Sequence, residues 1–328
     1  MTRRPIRTII FQITLLSLLL TACNIASSEF TPPPPTASLP RETPPQVIVT
    51  PSVASLATLP SPTAQSPTLP LATPKSTLSA EQRENQILEL LQTNGGCELP
   101  CWWGIMPGTT TWSQAQAFLE GLGVKTSIDR TSGNAIDHGT SGLSIASHSI
   151  HNGIGFTERA GIVQEIGIGS SSTNPSTNLS GWLEAWAGYS PKQIISKYGV
   201  PDRIWLMTSS QFHEPSGGSQ MPYELWLFYD RLKFLIRYAG VVRYAPIYRF
   251  CPEYGENGQL TAEISLNLAD PANPTPLETL SNALTIPGMT DYIQPIEKAT
   301  GLTIEKFSSL FTQNSKDVCF DASRNIWP

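Results

Sequence analysis

Apolar and polar positions recur at two periods along this chain, and each change of period marks an element. Over residues 79–93 the apolar residues Ile87, Leu88, Leu90 and Leu91 fall at helical spacing. Ser79 is placed to cap this helix, Glu81 and Glu84 suit its first turn, and Asn94-Gly95-Gly96 stops it. A second helix is predicted over 112–122, capped by Thr110 or Thr111 and ended by Gly121 and Gly123. The period then falls to two. Over 143–150 the residues Leu143, Ile145, Ser147 and Ser149 share one face, which predicts a strand. His151-Asn152-Gly153 reads as a turn, with further strands over 154–157 and 162–168.

The same order recurs further along. Tyr189-Ser190-Pro191 opens a helix that packs Ile194 and Ile195 and ends at Tyr198-Gly199. A strand is predicted over 204–208. The strongest alternation in the chain, over 223–229 and 232–238, predicts a hairpin, with Tyr223, Leu225, Leu227 and Tyr229 on one face. Leu232, Phe234, Ile236 and Tyr238 likewise share a face. Ile286-Pro287-Gly288-Met289-Thr290 precedes two more helices, near 291–299 and 304–311. The expectation is an α+β fold: two helix-plus-antiparallel-strand units with a helical C-terminal closure. Possible lobes are 78–178 and 179–328.

Before residue 78 neither period is present. Arg3, Arg4 and Arg7 precede an apolar run at 9–20, and Leu20-Thr21-Ala22-Cys23 closes it. A basic start, a short apolar run and small residues at a cleavage point make a secretory signal over 1–22. Twelve apolar-rich residues reach only about 18 Å as a helix, short of the roughly 30 Å of a hydrocarbon core. Leu20-Thr21-Ala22-Cys23 resembles the lipobox of bacterial lipoproteins. That resemblance implies cleavage after Ala22, a diacylglycerol on the Cys23 thiol and an acylated amino terminus. It makes a membrane the first partner, reached through an N-terminal lipid anchor, and places the protein outside the cytoplasm on the cell membrane or outer membrane. From Asn24 to Ala80 there are 13 prolines and 18 serines or threonines, and Phe30 is the only aromatic residue. Such a stretch buries too little apolar surface to offset its ordering entropy, so 23–77 reads as a disordered, semi-rigid stalk.

All eight tryptophans and all nine tyrosines lie beyond it, in an extracytoplasmic globular part at 78–328. The formal net charge is −5, and without Arg3, Arg4 and Arg7 it becomes −8. An acidic chain with no basic cluster argues against nucleic acid as a partner. With Cys23 given to lipid, Cys97, Cys101, Cys251 and Cys319 remain, an even number that suits disulfides in an oxidising compartment. Spacing favours Cys97–Cys101 with Cys251–Cys319 and leaves the crossed pairings open. Cys-x₃-Cys without a tighter second pair points away from zinc.

The segment Cys97-Glu98-Leu99-Pro100-Cys101-Trp102-Trp103-Gly104-Ile105 resembles one carried by a family of stalked bacterial lipoproteins, which supplies a family and no activity. Pro107-Gly108-Thr109 before a helix, and Tyr198-Gly199-Val200-Pro201 before a hairpin, resemble the SmpA/BamE-like small lipoproteins of outer-membrane assembly.

Nucleotide, nucleophile-elbow and zinc-protease motifs are absent. His148 and His151 are three apart, which on a straight strand sends them to opposite faces. His138 and His213 read as loop histidines. Asp129, Asp137, Glu158 and Glu165 are the candidates for a carboxylate pair. Trp102, Trp103 and Trp226 are candidate ligand-facing aromatics: exposed they would stack on sugars, buried they are core, and core is the favoured reading. The sequence therefore predicts a non-catalytic binding or structural module at the cell envelope, without metal or cofactor. An envelope protein or glycan is the candidate partner, and the alternative is a hydrolase or glycan-binding protein acting on an envelope polymer.

Overall fold

The computed structural model describes residues 78–141, 143–173, 179–209, 220–252, 260–280, 290–313 and 318–328. The predicted signal (1–22), the stalk with Cys23 (23–77), His213 and the Ile286-Pro287-Gly288-Met289 segment lie outside the described residues.

Helix α1 (Ala80–Thr93) starts where predicted, with Ser79 and Gln82 bonding reciprocally in a capping box. It stops at Asn94, whose backbone turns left-handed at φ 53°. Helix α2 (Trp112–Gly121) begins with a second capping box, between Thr111 and Gln114. Four antiparallel strands follow: β1 (Lys125–Ser132), β2 (Ala135–Ser141), β3 (Ile150–Arg159) and β4 (Ile162–Ser172). Helices α3 (Leu179–Ala185) and α4 (Pro191–Tyr198, Pro191 in its first turn) precede β5 (Arg203–Met207), β6 (Gln220–Tyr229) and β7 (Phe234–Arg243). Then come β8 (Ile247–Phe250), β9 (Leu260–Ala269), α5 (Leu277–Leu280), β10 (Ile293–Pro295), α6 (Ile296–Thr300), α7 (Ile304–Thr312) and β11 (Phe320–Ser323).

Both helix-then-strand units lay their strands into one sheet of nine, in the order β1-β2-β3-β4-β9-β7-β6-β5-β10. The junction is β4 against β9, so a division into lobes at 178 falls inside a continuous sheet. Register explains the core. One row runs His138-Phe156-Ile166-Leu268-Phe234-Tyr229 across six strands, and the next runs Ile154-Ile168-Leu266-Ile236-Leu227-Ile204. These rows face the helices and join Ile87, Leu91, Leu119, Trp182, Trp186, Ile194 and Ile195 in a single buried cluster. The alternation seen in the sequence over 223–229 and 234–238 is this face.

The opposite face divides in two. Toward β2–β4 it carries glycines in register, Gly139-Gly155-Gly167 and Gly153-Gly169. Toward β5–β7 it carries Trp226, Phe228 and Leu235, which with Ala269 and Leu277 form a second, smaller buried cluster.

Four expectations change. Residues 143–149 form no strand: Ile145 bonds back to Ile150, the first residue of β3, around a single 3₁₀ turn, Ala146–His148, so local closure wins over alternation. His151-Asn152-Gly153 lies within β3, because its backbone groups have a partner in β4 that a local turn would leave unbonded. The β1–β2 hairpin has no apolar alternation to announce it, and β1 is exposed along nearly its whole length. The C-terminal closure is not helical alone, since β10 edges the main sheet and β11 pairs with β8. No described helix is long and apolar enough to cross a membrane.

Candidate functional site

The cysteines lie at the two ends favoured by spacing. Cys97 pairs with Cys101 and Cys251 with Cys319, with Cα separations of 5.8 and 4.2 Å. The second pair sits one residue beyond the Phe250–Phe320 register pair and ties β8 to β11.

The loop between α1 and α2 is built on Asn94. Its Nδ2 donates to the Cys97 carbonyl (2.9 Å) and the Cys101 carbonyl (2.8 Å), and its Oδ1 accepts from the Trp103 amide (3.0 Å). That last bond helps hold Trp103 at φ 54°, a left-handed conformation disfavoured for a bulky residue. Trp102 and Ile105 exchange backbone bonds of 2.9 and 2.8 Å, and Tyr198 Oη accepts from the Leu99 amide at 3.1 Å. From this loop a ladder of stacked indoles runs inward: Trp103, Trp102, Trp186 and Trp182, at centroid spacings of 5.3, 6.1 and 6.3 Å.

Trp102 and Trp103 are therefore core residues, 0 % and 2 % exposed, and offer no ring face to a ligand. The favoured core reading holds for Trp226 as well, against the ligand-facing one. Its face is covered by the second cluster, Arg237 sits 5.4 Å from its ring, and its Nε1 donates to Glu224 at 2.8 Å. Burial of apolar ring area outweighs the sugar-stacking role at all three positions.

The titratable candidates separate between the two faces of the sheet. His138 is no loop residue. It sits in β2 on the core face, 5 % exposed, with its ring stacked on Trp112 at 3.7 Å and Nε2 2.9 Å from Glu158 Oε2. The other Glu158 oxygen accepts the Gly161 amide at 3.0 Å. Trp112 and Glu158 close over the imidazole, which suits a structural pair better than one that meets substrate. His148 and His151 each contact a serine, Ser147 at 2.9 Å and Ser144 at 3.1 Å.

Asp137 and Glu165 lie on the opposite face, either side of Thr157 in one register row. Thr157 Oγ1 donates to Asp137 at 2.9 Å, and Arg130 Nε donates to its other oxygen at 2.8 Å. Burial pushes the Glu165 carboxyl above the usual range; Arg159 opposes the rise and the Asp137 charge adds to it. The carboxylate of Asp129 covers Gly139, filling the space a Cβ would take. Among the described residues no group of three or more His, Cys, Asp or Glu is arranged to hold a metal ion.

A cleft of about 590 Å³ opens at the C-terminal closure. Asp291, Gln294, Lys298 and Asn325 give it polar walls, and Ile293 and Trp327 an apolar floor. It is shallow and widely open to solvent. Gln294 is held by a bond from its Nε2 to the Asp291 carbonyl, 3.0 Å. The Trp327 indole N–H is buried without an acceptor among the described residues. Nothing in the sequence points to this cleft, because its walls come from β10, α6 and the 3₁₀ turn Arg324–Ile326, whose juxtaposition depends on β11 folding back onto β8.

Compared with known proteins, the chain matches no family model, no curated protein and no solved structure. What is defined is a class by architecture: an α+β protein built on one large antiparallel sheet, with two cysteine pairs at disulfide distance.

Proposed function

We propose that this chain is a lipid-anchored extracytoplasmic protein whose α+β part acts as a non-catalytic binding module at the cell envelope. The observation that carries the reading is Leu20-Thr21-Ala22-Cys23 set directly behind a basic start and a short apolar run. The Pro/Ser/Thr-rich stretch up to residue 77 then serves as a stalk, holding the binding part away from the bilayer. Paired cysteines agree with an oxidising compartment. The ligand surface is the C-terminal cleft, whose mix of carboxylate, ammonium, amide and indole groups suits a small polar ligand such as a sugar, or the polar end of an envelope protein.

Intact mass and membrane fractionation of the full chain beside a Cys23→Ala variant test the anchor. A lipid-sized mass increment and membrane retention, both lost in the variant, are expected. A soluble product without that increment in both proteins would remove the reading.

A hydrolase acting on an envelope polymer is the second reading, favoured by one observation. Asp137 and Glu165 share a face on alternate strands, and Glu165 is biased toward its protonated form. Turnover of a cell-wall glycan that disappears in both Asp137→Asn and Glu165→Gln would establish it over binding alone.

A further inference from the structure

The Cys97–Cys101 pair differs from an inert staple in three ways. First, its sulfurs are unequal: Cys97 is partly exposed, whereas Cys101 is 1 % exposed. Of the two residues, only Cys97 has appreciable surface open to solvent. Second, Cys97 Sγ has a backbone amide donor beside it. The Gly104 amide donates to it at 3.3 Å, and the Asn94 carbonyl lies 3.2 Å away on an acceptor's side. The amide donor favours negative charge on this sulfur, and the carbonyl opposes it. Third, the loop is closed by other bonds as well as by the sulfur bridge. The three Asn94 bonds, the Trp102–Ile105 exchange and the Tyr198 bond to Leu99 close it independently, with both indoles buried beneath.

From these observations we infer that Cys97–Cys101 is a thiol–disulfide exchange site, with Cys97 the exchanging sulfur and Cys101 the resolving one. Its reaction partner is a dithiol, on a small molecule or on a protein. A thiolate of that dithiol attacks Cys97 Sγ along the open side. The Cys97–Cys101 bond breaks, Cys101 leaves as a thiolate and takes a proton, and a mixed disulfide joins Cys97 to the partner. The partner's second thiolate then attacks its own sulfur in that mixed disulfide. Cys97 leaves as a thiolate facing the Gly104 amide. Two electrons pass from the dithiol to this protein, its two protons go to solvent as its thiols ionise, Cys101 takes one proton back while Cys97 ends as the thiolate, and the dithiol becomes a disulfide. In reverse, Cys97 thiolate attacks a partner disulfide and buried Cys101 releases the product. The inference goes beyond ligand binding at the cleft and does not rest on it.

The test uses the full chain. Wild-type protein is titrated with dithiothreitol, quenched with an alkylating reagent and mapped by peptide mass, while far-ultraviolet circular dichroism follows the fold. Cys97 and Cys101 are expected to become alkylated first, with Cys251–Cys319 still closed and the dichroism unchanged. Tryptophan emission should shift in the same step, since Trp102 and Trp103 adjoin Cys101. Alkylation of all four cysteines together with loss of dichroism would overturn the inference, as would opening of Cys251–Cys319 first.

Two variants read the roles of the sulfurs. With oxidised glutathione, Cys101→Ser should form a mixed disulfide at Cys97 at least about ten-fold faster than Cys97→Ser does at buried Cys101, because reactivity follows access and thiolate character. Equal rates in two folded variants would refute the assignment of Cys97. If either variant does not fold, the wild-type titration still decides.

Discussion

Removing the other disulfide gives the sharpest quantitative expectation. Cys251 and Cys319 are 68 positions apart, and the loop they close contains β9, β10, α6 and α7. In the chain-entropy model a closure of that length restricts the unfolded chain by about 4.4 kcal/mol at 25 °C. The Cys97–Cys101 separation of 4 gives about 1.9 kcal/mol on the same formula. Because Asn94 already closes the short loop, its measured contribution should fall below that figure. The long closure has fewer substitutes. The β8–β11 ribbon has four residue pairs, and beside it the segment is held mainly by the aromatic cluster of Tyr248, Phe250, Phe307, Phe320 and Trp327. Cys251→Ser/Cys319→Ser leaves no unpaired thiol, and both positions are only partly buried, so serine adds little desolvation cost. At about 2–4 °C per kcal/mol for a domain of this size, the double variant should melt about 9–18 °C below wild type by thermal circular dichroism. Cys97→Ser/Cys101→Ser should lose less than half as much. A drop under about 2 °C for the long pair, or a larger drop for the short pair, would refute the loop-length argument.

Three further outcomes follow from buried polar groups. His138→Ala removes a stacked imidazole and leaves Glu158 with only the Gly161 amide; the expected loss is about 2–4 kcal/mol in denaturant unfolding, and a loss under about 1 kcal/mol would mean the pair is open in solution. Glu165 has a folded-state pKa above its reference of 4.5, so the native state holds the proton longer than the unfolded chain. Its contribution to stability therefore declines as pH rises from 4.5 through the raised value. Glu165→Gln should flatten that part of the stability–pH curve and raise stability at pH 7, and an unchanged curve would contradict the burial assigned to it. Burial also raises the hydroxyls of Tyr189, Tyr223 and Tyr229 above the ordinary tyrosine range. Unfolded phenols ionise near pH 10, so stability should fall above that pH. Phenolate absorbance for these three should appear only together with loss of dichroism, and earlier titration in folded protein would count against their burial.

How much of this was legible in the sequence depends on whether a residue's partner lies nearby in the chain. The Ser79 and Thr111 caps, the Asn94-Gly95-Gly96 stop and the hairpin after residue 223 are set by residues a few positions apart and appear where the pattern predicts them, except that the second hairpin strand begins at Phe234 and leaves Leu232 in the turn. The 143–150 segment shows the opposite: Leu143 and Ile145 are buried as the alternation requires, but Ser147 is exposed, and Ile145 bonds back to Ile150 at the start of β3 across a 3₁₀ turn instead of extending a strand of its own. His138 was misplaced for a related reason. Gly139 and Asp137 make its surroundings look like a loop, but the glycine serves the covering carboxylate of Asp129, and the histidine completes a core row that starts at Tyr229, over 90 residues away in the chain.

The β4–β9 junction carries this argument furthest. The two helix-and-strand units have no local reason to share a sheet, and nothing in either predicts which strands meet. What joins them is that Ile166 and Ile168 of the first unit match Leu268 and Leu266 of the second at the same period, on the face the helices cover. On the other face the same strands match Gly167 to Asn267 and Gly169 to Ser265, small and polar residues that would gain little from cover. One-sided burial of this kind pins the register, since a slip of one residue would turn every apolar side chain outward. A polar substitution at Ile166 or Ile168 should therefore disrupt both units together, in a single unfolding transition rather than two.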